Sequence, residues 1–270
     1  MSFSQEFHQF GQPDAYLVQL SILHQAVLNL LASSENPSVL AGSAMNQEES
    51  VHAFAGEARM TIISDMYPFR LMLACIYQDF NSAKDLMDTR YIESPNDLQY
   101  YRVHIRLTYT GLLAFALGRK TKIQKYSRIG RNILKHFTAA VKQGSVNSLP
   151  VMLMLKAEAS PSKGRYDEAI KACGRSGFSH HQALMNERAG LFFLDEAKDE
   201  GWAEFYLLQA MELYHDWGAV GKVISMKQQH NFLARASREK RFSTSSKGRS
   251  RHNTLLVSQL QSFSLSSSDK

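Results

Sequence analysis

The residues that come closest to a metal-binding set are His180 and His181, with Glu187 seven positions beyond His180. On a helix, that spacing puts His180 and Glu187 on one face. A zinc site needs three or four convergent donors, so this set is one or two short. The expected roles are capping and solvated polar contacts, with no metal and no cofactor. Cys75 and Cys173 stand far apart, each on an apolar stripe, and are expected to pack as small core side chains and not act as nucleophiles. His24, among Leu20, Leu23 and Val27, is expected to pack likewise. The chain contains no phosphate-cradling Gly-x-x-x-x-Gly-Lys-Ser/Thr loop and no Gly-x-Gly-x-x-Gly. His-Glu-x-x-His, Cys-x-x-Cys and a Gly-x-Ser-x-Gly elbow are missing too, so the common catalytic signatures are absent and no enzyme is expected.

Charge carries more information. Residues 1–100 hold 4 Lys/Arg against 12 Asp/Glu, 101–165 hold 13 against 1, 166–234 hold 6 against 10, and 235–270 hold 8 against 2. The net charge of +6 therefore conceals alternating acidic and basic blocks. Within the basic block, Arg119 and Lys120 precede Lys122, Lys125, Arg128, Arg131 and Lys135. The last five recur largely at three- and four-residue spacing, opposite a stripe of Ile123, Tyr126, Ile133 and Phe137. One helix face can thus carry a positive strip able to meet phosphate, acidic lipid or an acidic protein surface. The competing expectation is that these cations pair with the acidic blocks on either side. Among macromolecules, a protein partner or an adjacent signalling domain ranks above nucleic acid, because no nucleic-acid reader motif accompanies the charge.

These side chains need a scaffold, and apolar spacing reads as helix nearly everywhere. Leu17, Leu20, Leu23, Val27 and Leu31 form a stripe from Ala15 onward. Helices are expected over 48–65 and from Pro68 to Tyr77, with proline at a first helical position. Further helices are expected over 83–87, 98–117 ended by Gly118, and 123–141 ended by Gly144. Helical segments 151–158, 166–173, 180–194, 202–214 and 219–234 follow. No strand pattern competes. Phe80, Ile123 and Tyr166 each open a helix after a turn, at intervals of 43 residues, and Ala169 and Ala203 lie 34 apart. Periods of this length belong to helical-hairpin repeats. The expected fold is all-α, with stacked helical hairpins in a tetratricopeptide-like solenoid over 14–234. Residues 1–13 are expected to be flexible.

Residues 235–270 are basic and serine-rich, a composition that cannot bury a core, and are expected to be disordered. Ser243 and Ser250, each beside basic residues, are candidate phosphorylation sites. No run approaches the roughly 18 apolar residues of a membrane span. Residues 1–11 contain Glu6 and neither Lys nor Arg, so no targeting segment is expected. With two distant cysteines, the expected compartment is the cytoplasm.

Several runs together resemble a known family. They begin with Gln25-Ala-Val-Leu-Asn29-Leu-Leu, Pro37 and Leu40-Ala-Gly42, continue through Gly144-Ser-Val-Asn147 and Leu155-Lys-Ala-Glu158, and reach Tyr166-Asp-Glu-Ala169-Ile. Gly177-Phe178, Ala183-Leu184, Glu187-Arg-Ala-Gly190, Tyr214-His-Asp-Trp217-Gly218-Ala219 and Lys222-Val223 complete the set. In this order, over about residues 15–230, they look like the helical-repeat region of large signalling ATPases. That family joins a protein-kinase-like region and an AAA/STAND-type ATPase to tetratricopeptide-like repeats, often with a sensor histidine kinase or nucleotide cyclase. The resemblance implies structural roles for these motif residues and a non-catalytic interaction or regulatory module without the ATPase and kinase parts. The alternatives are a nucleic-acid or anionic-membrane binder using the basic block and tail, and an uncharacterised all-α enzyme.

Overall fold

The computed structural model describes residues 14–31, 36–89 and 101–234. Ser243, Ser250, the first thirteen residues and the C-terminal tail lie outside these. The regular elements of the described residues are all helices, without a strand; a lone antiparallel bridge, Ala41 to Asn46, closes a loop. None of their helices is long and apolar enough to cross a membrane.

The chain divides into two compact units, residues 1–225 and 226–270. In the first, α1 (Asp14–Leu31), a short α2 (Gln47–His52), α3 (Gly56–Tyr77) and α4 (Phe80–Asp88) precede two long helices, α5 (Tyr101–Thr121) and α6 (Gln124–Lys142). Then come α7 (Ser148–Ala159), α8 (Lys163–Arg175), α9 (Ser179–Phe192) with a π-turn at Phe193–Ala197, and α10 (Glu200–Asp216). Helix α11 (Val220–Gln229) begins in the first unit. Of the second unit, residues 226–234 are described: the end of α11 and one more helical turn at 231–234.

From α5 to α10 each helix packs on the next, and α5 also packs on α3 and α7. The composition of each helix explains this alternation. Helices α5, α7 and α9 are buried on nearly all sides; in α7, Pro150 through Leu155, Ala157 and Glu158 are all buried. Helices α6 and α8 bury one stripe each: Tyr126, Gly130, Ile133, Phe137 and Ala140 on α6, and Tyr166, Ala169 and Cys173 on α8. A helix apolar all round must be enclosed, and one with a single apolar stripe covers it. Phe80, Ile123 and Tyr166 do fall at the openings of α4, α6 and α8. Both cysteines are buried in the core.

Three expectations about elements are corrected. The boundary placed between Asp65 and Pro68 is absent: α3 runs unbroken through Pro68. The break lies earlier, at Ala53–Ala55, where Gly56 takes φ +57°. Residues 65–69 are all buried, so packing outweighs the local cost of an interior proline. Gly118 does not end α5 either. Lys122 N–H still donates to the Gly118 carbonyl, and the helix stops at Lys122 in the left-handed region, φ +61°. A Cβ on Gly118 would stand 2.5 Å from Ser127 Oγ, so this glycine permits the close approach of α5 and α6.

On α1 the buried face is Ile22, Gln25, Ala26, Asn29 and Leu30, while Leu23, Val27, Leu31 and His24 are exposed. The apolar stripe therefore faces outward, because two amides are needed inside. Asn29 donates to the Pro37 and Val39 carbonyls at 3.0 and 2.6 Å. Gln25 donates to Asn29 and accepts from the Ala44 N–H. Together they satisfy the backbone of the 36–46 loop, which has no helix of its own to do so.

Candidate functional site

Helix α9 places two opposite charges side by side inside the protein. Glu187 is 1% exposed and Arg188 6%. The Glu187 carboxylate accepts from Lys222 Nζ at 2.6 Å, Gln78 Nε2 at 2.8 Å and Tyr214 OH at 2.9 Å. Lys222, at the start of α11, is fully buried, and its ammonium lies 5.7 Å from the ring centroids of both Tyr77 and Tyr214. Burial, then the Glu187 charge, raises the phenol pKa of Tyr77 and Tyr214, so both remain donors. Tyr77 gives its proton to the Asn29 carbonyl at 2.7 Å, which ties this knot to the α1 loop.

A second buried carboxylate, Glu158 at the end of α7, is held by Arg119, whose guanidinium donates to both its side chain and its backbone carbonyl. Tyr166 OH reaches the other oxygen at 3.5 Å. Arg188 has no such partner. Among the described residues its hydrogen bond goes to Cys75 Sγ at 3.4 Å, and its Nε has none. Burial raises the Cys75 pKa, so that sulfur is a neutral thiol and a weak acceptor. For Arg188 burial opposes the charge, but Glu158, Cys75 and Glu187 outweigh it and raise its pKa. The guanidinium is thus charged and enclosed.

Arg188 lines an open cleft of about 480 Å³ whose walls include Arg119, Lys120 and Lys122 from the end of α5. Gln78, Phe80, Tyr166 and Phe192 also line it, and Asp195 and Glu196 on the π-turn stand at its edge. Lys120 Nζ sits 4.5 Å from the Phe80 ring centroid.

The five cations of the expected strip do not act together. Lys122 belongs to the cleft. Lys125 pairs with Asp88 at 2.7 Å, which lowers the Asp88 pKa through that hydrogen bond. Arg128, Arg131 and Lys135 are exposed on α6 and make no ion pair among the described residues. Asp65, Asp167 and Glu158 pair with other cations, Arg102, Lys163 and Arg119. The expected internal pairing thus holds for Lys125 and not for these three.

The residues of the runs that carried the resemblance are mostly structural supports. Asn29 braces the loop, and Glu158, Tyr166, Glu187 and Tyr214 build the buried ionic network. Ala169 is fully buried, and Ala219 nearly so. Gly177 (φ +73°) and Gly218 (φ +90°) close the ends of α8 and α10. The Phe178 N–H donates to the Cys173 carbonyl, and the Ala219 N–H to that of Tyr214, as helix C-terminal turns require. Gly190 lies against α10, where a Cβ would stand 2.6 Å from Leu207 Cγ. Asn147 occupies the position before α7 without a side-chain cap bond.

His180 stacks on Trp217 at 5.3 Å, and His181 is buried edge-on to Tyr109 and Phe178. These histidines serve ring packing where capping and solvated contacts were expected. Among the described residues no group of three or more His, Cys, Asp and Glu gathers as metal ligands would. Sequence reasoning noticed Arg119, Lys120, Arg188 and Lys222 only as parts of a charge run or a motif. The available signal was a charged pair, Glu187-Arg188, inside a helix with no continuous polar face.

No protein family, no curated protein and no solved structure matches this chain.

Proposed function

We propose that the chain is a non-catalytic helical-repeat module of the signalling-ATPase type, working in the cytoplasm, that binds an acidic protein surface or neighbouring domain through the outer face of α6. The observation that carries this reading is the row Arg128, Arg131 and Lys135: three exposed cations, three and four residues apart, that make no ion pair among the described residues. The serial packing of α5 to α10 supports it, since such arrays bind through extended surfaces and modest contacts. The buried charges support it as well, because Glu158 and Glu187 are consumed by structural partners and are not displayed for acid–base work.

The test compares the wild-type chain with the triple variant Arg128→Glu, Arg131→Glu, Lys135→Glu, using fluorescence anisotropy of an acidic peptide. Binding by the wild type at physiological salt and its loss in the triple variant, with unchanged melting temperature, is the expected result. Equal binding by both proteins removes α6 from the reading. Retention on heparin or anionic vesicles at physiological salt, without peptide binding, replaces it with nucleic-acid or membrane binding.

A further inference from the structure

Three buried or half-buried cations of the first unit can be compared directly. Lys222 has the Glu187 carboxylate at 2.6 Å. Arg119 has Glu158 on two of its nitrogens and Glu196 at 3.7 Å from the third. Arg188 is as enclosed as the others, yet its hydrogen bonding among the described residues amounts to one contact with a neutral thiol. A buried guanidinium has five donors to satisfy. Glu158 and Glu187 favour the Arg188 charge through space, but among the described residues no carboxylate takes a hydrogen bond from it and its Nε has no partner. A protein that tolerates this in a wall of an open cleft has left a site for an anion.

The cleft supplies the rest of such a site. Lys120 and Lys122 are exposed at its edge and, with Arg188, approach from two different helices. Phe80, Tyr166 and Phe192 give it aromatic walls, with the Tyr166 and Phe192 rings 5.8 Å apart. Its volume of about 480 Å³ falls in the range of small-molecule pockets and below that of a groove for a folded partner. Asp195 and Glu196 also line the cleft, with Glu196 3.7 Å from Arg119 Nε, and their charge disfavours a polyanion such as nucleic acid.

We propose that this cleft binds a small aryl phosphate monoester, its phosphate on Arg188, Lys120 and Lys122 and its aromatic body against Phe80 and Phe192. Several cations around one group suit a phosphate, which presents three charged oxygens, and aromatic walls favour an aromatic body over a bare ion. The site shares no residue with the Arg128, Arg131, Lys135 row, so either reading can fail without the other.

The experiment is isothermal titration calorimetry of the full chain with phenyl phosphate, inorganic phosphate and phenol. Phenyl phosphate binds with a sub-millimolar Kd, inorganic phosphate at least about tenfold more weakly, and phenol without measurable heat. Arg188→Met loses phenyl phosphate binding by at least about tenfold, with a cooperative melting transition showing that the variant is folded. Lys120→Ala with Lys122→Ala, two exposed positions that cannot unfold the core, weakens binding several-fold. The proposal is overturned if the wild type binds no phenyl phosphate at millimolar concentration, or if inorganic phosphate binds as well as the ester. It is equally overturned if the double lysine variant binds like the wild type.

Discussion

Helices α9 and α6 both carry charges, and the protein treats them in opposite ways. On α9 the charged side chains lie inside and each meets a fixed environment: Glu187 has three donors, and Arg188 faces a thiol and a cleft. On α6 the cations point outward, and among the described residues the ion pair found for them is that of Lys125 with Asp88. The difference follows from position in the packing order and not from residue type. A helix with neighbours on every side must settle its charges inside, against donors as for Glu187 or in the wall of a cleft as for Arg188, whereas a helix with one covered stripe is free to display charge.

The sharpest way to break this contrast is Glu187→Leu. It strands the fully buried Lys222 ammonium, and breaking a buried pair from one side costs about 3 to 5 kcal/mol. For a domain of ordinary stability, about 5 to 15 kcal/mol, that is a large fraction of the total. Urea denaturation of the single variant and of Glu187→Leu with Lys222→Met is the measurement, and the double variant is expected to be the more stable of the two. A loss below about 1 kcal/mol in the single variant, the scale of an exposed pair, would show that α9 holds its charges no more tightly than α6 does.

The same contrast governs how much was legible in the sequence. Helix α6 could be read because its apolar and charged residues separate cleanly at helical spacing, and its buried stripe is nearly the one expected. The long helix α3 was misread because Pro68 is a local signal and the burial that overrides it is not local. The face of α1 was misassigned because Gln25 and Asn29 look like surface residues until the loop they support is in place. The candidate site was the least visible part. A charge on a helix with an uninterrupted polar face announces itself as exposed. Arg188, flanked by Leu184, Met185 and Ala189, gives no sign of whether it has a carboxylate, a thiol or a cleft beside it. That depends on α3 arriving with Cys75, more than a hundred residues earlier.

Gly190→Ala tests the packing side of the comparison, with a smaller expected effect. Its Cβ would stand 2.6 Å from Leu207 Cγ and 3.1 Å from the Ala203 carbonyl, so α10 backbone must move as well as a side chain. Overpacking of this kind costs about 1 to 3 kcal/mol, offset in part by alanine's helix propensity of about 0.5 to 1 kcal/mol. Gly164→Ala on the outer helix α8 meets nothing within 4 Å and is expected to leave stability unchanged or raised. Chemical denaturation of the two variants side by side decides it: equal stabilities would mean that the α9–α10 contact is not close-packed.

The smallest effect concerns protons. Burial lowers the pKa of His181 well below the usual 6.5, with His180 and His104 adding repulsion; burial alone lowers that of His136 on α6. A histidine whose folded pKa is depressed gives its full stability above the unfolded value. That contribution is lost as the pH falls below 6.5, because the unfolded chain takes up the proton first. The carboxylates depressed by hydrogen bonding, Asp79, Asp88 and Asp167, begin to act only lower, as the pH falls toward 3.8. One histidine contributes at most about 1.4 kcal/mol per pH unit to the slope. His181→Leu is therefore expected to flatten the fall in melting temperature between neutral pH and pH values just above the carboxylate window, and His136→Leu to flatten it less. If the two substitutions change the slope equally, the inner helix is no drier than the outer one.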